Sequence, residues 1–208
     1  LTEGLYKAVE IQVSEQYEIT NKEYYFGVGS SRSSEKRQPL QLAAGIGGNK
    51  EEQIMSVTET KDGGSVAGGY FQSSSIELGN GVTLNNNGSD DGMIIKYDAD
   101  GAVQWAKAIG GSYSDEIYSV AETSDGGIIA GGYFRSSSIE LGNGVTLNNS
   151  ISTNYSDGMI IKYDSAGNAQ WAKAIGGNYG YDYINSVEST SDGGIIAGGY
   201  FNSSSIDL

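Results

Sequence analysis

The sequence predicts an all-β fold made of repeated four-stranded antiparallel units. Three observations support this: a long internal repeat, short apolar runs separated by glycine turns, and no sustained helical period of apolar residues. The stretch Ser119–Phe134 returns almost letter for letter at Ser186–Phe201, and a weaker copy runs from Ser56 to Phe71. Successive copies are 63 and then 67 residues apart, which is enough chain for four short strands in each repeat.

Each repeat resolves into four strands joined by turns that contain glycine. Four antiparallel strands of this length form one blade, so we predict a β-propeller-like array of four-stranded antiparallel blades that is incomplete within one chain. In the best-preserved repeat the predicted strands are Ile117–Glu122, Gly127–Phe134, Met159–Tyr163 and Ala169–Ile175.

The first strand of the repeat reads as a simple alternation of side chains. This pattern places Ile117, Ser119 and Ala121 on one face of the sheet. Tyr118 and Val120 are then expected on the other face.

A small hairpin is expected between the second and third strands. Ile139–Leu141 and Val145–Leu147 flank the segment Gly142–Gly144, whose Asn-Gly pair is the preferred pair for a type I′ turn. Residues 76–84 repeat the pattern, and we expect each hairpin to project from the rim of its blade.

The aspartates and tryptophans that recur in the repeats are predicted to stabilise the fold and not to bind a ligand. Asp62, Asp125 and Asp192 recur in Asp-Gly-Gly, where aspartate commonly bonds the backbone of its own turn. We prefer this interpretation to that of a repeated ligand carboxylate.

Trp105 and Trp171 recur in the fourth strand, and we expect them in the core between neighbouring blades rather than on a sugar.

Domain boundaries follow the repeats. We expect residues 1–41 to be a separate N-terminal β segment, either a degenerate blade or the end of a preceding domain. Residues 42–208 form the array, divided into blades at 42–111 and 112–177 and a partial blade at 178–208. Because open blades expose edges, we expect this chain to be part of a larger protein, or to complete its ring as a homo-oligomer.

The composition excludes several kinds of chemistry. The chain has 32 glycines, no cysteine and no histidine, and its formal net charge is −14. It therefore cannot build a disulfide framework, a zinc site with Cys or His ligands, or a histidine-based catalytic triad. The acidity argues against nucleic acid and anionic membrane surfaces as partners, and no apolar run is long enough for membrane insertion.

The repeat resembles a known class of repeats. Its motif order is Ser-Val, Thr-x-Asp-Gly-Gly, Ile-Lys-Tyr-Asp, Trp-x-Lys and Gly-Gly. This order is similar to the β-propeller repeats of bacterial and archaeal secreted or surface proteins, often grouped with seven-bladed propeller repeats. The resemblance covers about residues 42–208. It implies a propeller fold and an extracellular or cell-surface location, and it transfers no catalytic residue.

Loops rich in tyrosine, aspartate and asparagine are the candidate binding loops. In a propeller, the loops that lead into each first strand share a face with the loops between the second and third strands. Tyrosine beside Asp and Asn is typical of sugar and peptide sites, because it combines a flat apolar ring with directional hydrogen bonds. The candidate ligand-binding residues are Tyr113, Asp115, Tyr155, Asp157, Tyr179, Tyr181, Asp182 and Asp91.

Cofactors are not expected. The oxygen-rich loops before Asp91 and Asp157 resemble those that attract Ca²⁺, but no Asp-x-Asp-x-Asp-Gly loop is present. We prefer to interpret these segments as surface loops and keep Ca²⁺ as the alternative. The glycine-rich segments precede no helix, so a nucleotide site is not expected either.

These observations favour a non-catalytic extracellular scaffold for binding or adhesion, with a glycan or a protein as its ligand. One alternative is a structural repeat unit of a surface assembly. Another is a fragment of a carbohydrate-active enzyme, which needs two carboxylates about 5 to 9 Å apart. The enzyme is the weaker alternative, because catalysis needs one asymmetric site and these acids come in equivalent copies.

Overall fold

The computed structural model describes residues 45–149, 154–177 and 179–205. These residues form strands and turns, with no helix among them, so the predicted all-β class is confirmed. The N-terminal segment predicted over residues 1–41 lies outside the described residues.

The described chain contains two four-stranded antiparallel sheets, one further strand pair and two small hairpins. In chain order the strands are β1 (Glu52–Glu59), β2 (Ser65–Phe71), β3 (Ser75–Glu77), β4 (Thr83–Asn85), β5 (Asp91–Tyr97), β6 (Val103–Ile109), β7 (Asp115–Glu122), β8 (Ile128–Phe134), β9 (Ser138–Gly142), β10 (Val145–Asn148), β11 (Asp157–Tyr163), β12 (Ala169–Ile175), β13 (Tyr183–Ser189) and β14 (Ile195–Tyr200).

The strands group into three successive units. Unit 1 is the sheet β1-β2-β5-β6, unit 2 is the sheet β7-β8-β11-β12, and unit 3 is the pair β13-β14. All neighbouring strands within a unit are antiparallel. The strands predicted for the second repeat match β7, β8, β11 and β12 within two residues at every end.

The hairpins β3–β4 and β9–β10 carry the predicted turns. Asn80 and Gly81 have φ of 52° and 75°, and Asn143 and Gly144 have φ of 53° and 74°. Positive φ at both central residues is typical of a type I′ turn. The hairpins do not project freely, since their apolar side chains are buried against the sheets. The buried residues are Ile76, Leu84, Ile139 and Leu147.

The first strand of each unit contains a bulge that the sequence pattern did not predict. In β7 the register with β8 shifts between Ile117 and Ser119, so Tyr118 is the extra residue. Beyond the bulge, Val120 returns to the face that Ile117 occupies, and both approach Gly68 of β2. The expected strict alternation is therefore wrong, because one inserted residue reverses the facing of those that follow it. The same shift recurs in β1 and β13.

Adjacent units pack face to face by seating two apolar side chains over a glycine. A Cβ added at Gly68 would lie 2.6 Å from Val120 Cγ1 and 3.0 Å from Ile117 Cγ2, so no larger residue fits without a shift. We call Ile117 and Val120 the knob pair of unit 2. Unit 3 repeats the contact on unit 2, with Ile184 and Val187 as its knob pair and Gly131 as the glycine.

Trp105 lies between units 1 and 2, as predicted. Its ring is 6.1 Å from that of Tyr163, and its indole N–H donates to the carbonyl of Ser165 at 3.1 Å. Trp171 is 39% exposed instead, so the expectation that it lies in the core is wrong for the described chain. The reason is that unit 3 contributes only two strands, and no described turn covers Trp171 as the turn around Ser165 covers Trp105.

Two of the three Asp-Gly-Gly turns are held by buried lysines as well as by their own backbone. Asp62 Oδ1 accepts from the N–H of Gly64 at 3.0 Å, which confirms the predicted turn. Lys96 Nζ lies 2.8 Å from Asp62 Oδ2 and also donates to Thr60 Oγ1 and to the carbonyl of Tyr97, both at 2.9 Å. This ammonium holds the pKa of the Asp62 carboxyl well below its usual range. In unit 2, Lys162 and Asp125 pair in the same way at 2.7 Å.

Replacing Asp62 with Asn should lower the free energy of unfolding at pH 7 by about 1–2 kcal/mol, because the buried Lys96 loses its counter-ion. The figure is modest because the Asp62 side chain is half exposed. The lowered pKa means that this stabilisation is present above about pH 4 and is lost as the pH falls. Urea unfolding of both proteins from pH 3 to 7 should show the difference narrowing at the acid end.

Asp98→Asn is the matched control for this experiment. Asp98 also accepts backbone N–H groups within its own turn, from Asp100 at 3.0 Å and Ala102 at 2.8 Å, but within the described chain it makes no ion pair with a buried lysine. We expect a smaller loss for this variant. An equal loss in both variants would show that the pairing with Lys96 adds no stability.

Candidate functional site

The predicted binding residues lie along one edge of the sheets. The start of each first strand is paired with the end of the second strand. Examples are Asp115 with Phe134 in unit 2 and Tyr183 with Tyr200 in unit 3. The loops that enter β7, β11 and β13 meet the sheets at this same edge. We call it the tyrosine edge.

Three of the predicted tyrosines meet at this edge. The ring of Tyr155 lies 6.1 Å from that of Tyr179 and 5.5 Å from that of Tyr181, in edge-to-face arrangements. Edge-to-face pairs at this distance add to the stability that burial provides. The loop before β11 and the loop before β13 are therefore joined by aromatic contacts.

The contacts continue into the strands. Tyr183 stacks on Tyr181 at 6.5 Å, on Tyr200 at 6.2 Å, and meets Tyr133 edge-on at 5.1 Å. Tyr118, the bulge residue of β7, adds to the group at 5.6 Å from Tyr133. We call the whole group the tyrosine cluster. Its members are Tyr118, Tyr133, Tyr155, Tyr179, Tyr181, Tyr183 and Tyr200.

The outer part of the tyrosine cluster is exposed. The exposed fraction is 70% for Tyr179, 51% for Tyr200 and 43% for Tyr181. Large aromatic side chains exposed side by side are typical of an interaction surface. Tyr113 is 43% exposed on the same edge, in the loop before β7, but makes no ring contact with the cluster among the described residues.

The inner part of the edge is acidic and hydrogen-bonded. Tyr133 donates its hydroxyl to Glu116 at 2.7 Å, and Tyr70 donates to Glu51 at 3.0 Å. Burial raises the pKa of Glu116, with a further contribution from the charge of Asp90. Burial and the nearby Glu51 raise the pKa of Tyr70 to about 12. These tyrosines stay protonated near neutral pH, so their hydroxyls remain hydrogen-bond donors.

Two of the predicted acids fasten loops instead of facing solvent. Asp115 accepts from the N–H of Gly111 and of Arg135 at 2.9 Å, and from the hydroxyl of Ser136 at 2.6 Å. Asp182 accepts in the same way from the hydroxyl of Ser203 at 2.5 Å. Both aspartates are fully buried, so they shape the edge without reaching a ligand.

The other two predicted acids, Asp91 and Asp157, are buried at the start of the third strands. Asp91 Oδ2 accepts from the N–H of Asn87 at 2.8 Å, while Oδ1 has no hydrogen-bond partner within the described chain. Burial raises the pKa of Asp91 to about 6, and the charge of Asp115 contributes. Asp157 lies beside Asp182. A Cβ added at Gly176 would be 2.3 Å from an oxygen of Asp157 and 3.0 Å from an oxygen of Asp182.

The oxygen-rich loops show no preformed metal centre where the chain is described. Residues 45–149, 154–177 and 179–205 contain no group of three or more Asp, Glu, His or Cys side chains placed to hold an ion. The Ca²⁺ alternative stays a prediction that only a binding measurement can test.

Sequence reasoning missed the strand tyrosines of the cluster and their acidic partner. Tyr133 and Tyr200 lie at the ends of their strands in the repeated Gly-Gly-Tyr-Phe segment. This position was the one sequence signal that could have placed them at the tyrosine edge. Tyr118 carried no such signal, because its position depends on the bulge. Glu116 differs from its counterpart Tyr183 in unit 3, so the repeat did not mark it as functional.

Comparison with models of known protein families and with curated proteins found no match for this chain. The resemblance to propeller repeats therefore stays a prediction carried by the motifs themselves. Within the described ranges, none of the secondary structure is a helix of the length and apolar character needed to cross a bilayer.

Replacing Asp91 with Asn should raise the free energy of unfolding at pH 7 by about 1–2 kcal/mol. The raised pKa means that wild-type folding favours the protonated carboxyl, so the wild type loses stability as the pH rises from about 4 to 6. The Asn variant keeps the acceptor for Asn87 and removes the buried charge. Denaturant unfolding across this pH range measures the difference.

Asp100→Asn is the control, since Asp100 lies exposed in the turn between β5 and β6. Because it removes an exposed charge and not a buried one, this variant should not show the gain in stability at pH 7. A wild type and an Asp91→Asn variant with parallel profiles from pH 4 to 7 would show that Asp91 is not the group responsible.

Proposed function

We propose that this chain is a non-catalytic propeller-type scaffold that binds a glycan or protein ligand through the tyrosine cluster. We further propose that it works outside the cell or at the cell surface, which the resemblance of its repeats to secreted and surface propeller repeats supports. The observation that carries the proposal is the set of exposed tyrosine rings held together at one edge.

The propeller arrangement is supported by how the units follow one another. β7 contacts β1, β2 and β5, and β13 contacts β7, β8 and β11. The first strands thus lie next to each other, and unit 3 meets unit 2 as unit 2 meets unit 1. In a propeller the innermost strands of neighbouring blades lie side by side around the axis, and the contacts of β7 with β1 and of β13 with β7 fit that arrangement.

The chemistry of the tyrosine edge favours a ligand without negative charge. Exposed rings offer flat apolar faces, and tyrosine hydroxyls offer hydrogen bonds at their rims. Glu116 accepts from Tyr133 of the cluster, and Glu51 and Asp90 lie close enough to add their charge to its surroundings, so these acids repel anions. A neutral glycan or an uncharged to basic peptide segment therefore fits this surface better than an acidic one.

Binding is favoured over hydrolysis by the burial of the paired acids. Asp157 and Asp182 lie side by side, but their exposed fractions are 3% and 0%. A glycosidase needs two carboxylates that reach the scissile bond from a cleft. Both acids are enclosed, and Asp182 also accepts from the N–H groups of Asn202 and Ser203, so the pair does not meet that requirement.

The test is a glycan array that includes neutral and acidic sugars, followed by affinity measurement on the best ligand. The double variant Tyr179→Ala/Tyr181→Ala should weaken binding at least tenfold, because it removes two exposed rings of the cluster (about 1.4 kcal/mol or more). The corresponding double Phe variant should retain most of the affinity if stacking dominates.

Trp171→Ala is the matched control. It also removes an exposed aromatic ring, but Trp171 pairs with Lys162 near the opposite end of β11, away from the tyrosine edge. Equal losses in the control and the double Ala variant, or release of sugar products during incubation, would contradict a binding site at the tyrosine cluster.

A further inference from the structure

Unit 2 docks on a surface of unit 1, and unit 3 docks on the equivalent surface of unit 2. The equivalent surface of unit 3, the last described unit, is uncovered. Ile196 of β14 is 61% exposed, whereas its counterparts Val66 and Ile129 are fully buried beneath the next unit. No atom of the described residues lies within 4 Å of the position that a Cβ would take at Gly198. Its counterparts Gly68 and Gly131 are covered by knob pairs. We call Ile196 and Gly198 the trailing face.

Unit 1, at the other end of the described array, has a knob pair that is not docked on a glycine of another unit, and part of it is exposed. Val57 is 55% exposed, although its counterparts Val120 and Val187 are 5% and 2% exposed. Met55, at the bulge of β1, is 44% exposed. Ile54, the other member of this knob pair, is only 8% exposed, so the open part is the rim formed by Met55 and Val57. We call it the leading rim.

A polar contact accompanies each docked knob pair. The N–H of Val120 donates to Ser56 Oγ at 3.2 Å, and the N–H of Val187 donates to Ser119 Oγ at 3.1 Å. The next acceptor in this series is Ser186, which is exposed beside the trailing face. The donor that corresponds to the N–H groups of Val120 and Val187 in unit 1 is the N–H of Val57. The two ends therefore match in apolar shape and in hydrogen bonding.

We propose that copies of this chain associate head to tail, with the leading rim of one copy docked on the trailing face of the next. We infer that the partner on the trailing face is a second copy of this chain. The equivalent surfaces of units 1 and 2 are each covered by a bulged strand that places a Val over the glycine, and β1 is a strand of this kind. The contact continues an interface that the chain already uses twice. It rests on the packing between units and does not require ligand binding at the tyrosine edge.

Head-to-tail contacts use two different surfaces, so they generate rings when the rotation closes and filaments when it does not. The net charge of −14 opposes association of copies. Salt screens this repulsion, and we expect self-association to strengthen as the ionic strength rises.

The experiment compares the mass of the intact chain in solution with that of two variants, by sedimentation velocity over a range of concentrations. Val57→Asp places a charge on the leading rim, and Ile196→Asp places one on the trailing face. Each position is exposed in the single copy, so neither change should impair folding, which a thermal melt checks. The wild type should self-associate, and each variant alone should need at least tenfold more protein to do so.

Mixing the two variants gives the decisive result. The Ile196→Asp copy keeps an intact leading rim, and the Val57→Asp copy keeps an intact trailing face. An equimolar mixture should therefore form a complex of two chains that neither variant forms alone. Thr83→Asp, on the exposed side of β4, is the control that adds the same charge elsewhere and should associate like the wild type.

Three outcomes would overturn the proposal. The first is a wild type that stays monomeric up to roughly 1 mM at physiological salt. The second is an oligomer that both Asp variants leave intact, which would place the interface elsewhere. The third is a mixture of the two variants that forms no complex, which would exclude head-to-tail pairing. Loss of glycan binding without loss of association would affect only the function proposed above.

Discussion

The seating of a knob pair over a glycine is the contact on which the rest of this structure depends. Glycine at positions 68 and 131 lets the next sheet approach so closely that a single added carbon would meet it at 2.6 Å. Close approach excludes water from the apolar faces on both sides, where burial contributes most to stability. The bulge of each first strand is part of the same contact, because it turns both knobs towards the glycine.

The same packing leaves the loop edge free to vary. Buried aspartates fasten the loops to the sheets through backbone N–H groups and a serine hydroxyl, as Asp115 and Asp182 show. Lysines perform a similar task at the opposite edge, where Lys96 and Lys162 hold the Asp-Gly-Gly turns. With both edges fixed by buried polar groups, the exposed rings between the loops can differ from unit to unit without loss of the fold.

Much of this could be predicted from the sequence, and the failures have physical causes. The repeat, the strand positions and the Asn-Gly hairpins follow from local patterns, which the described strands confirm. The bulge at Tyr118 did not follow, because an extra residue in one strand is defined only by its register with the neighbouring strand. The burial of Asp115 and Asp182, which were predicted to bind a ligand, did not follow either, because each has partners about 20 residues away across a strand pair.

The sequence by itself determined the fold class, the repeat and the chemistry of its turns, since these depend on residues close together in the chain. The tertiary structure alone decided which of several equivalent residues are covered. Val57, Val120 and Val187 occupy the same place in the repeat, yet their exposed fractions are 55%, 5% and 2%. The difference comes from what each unit packs against, which no local pattern encodes.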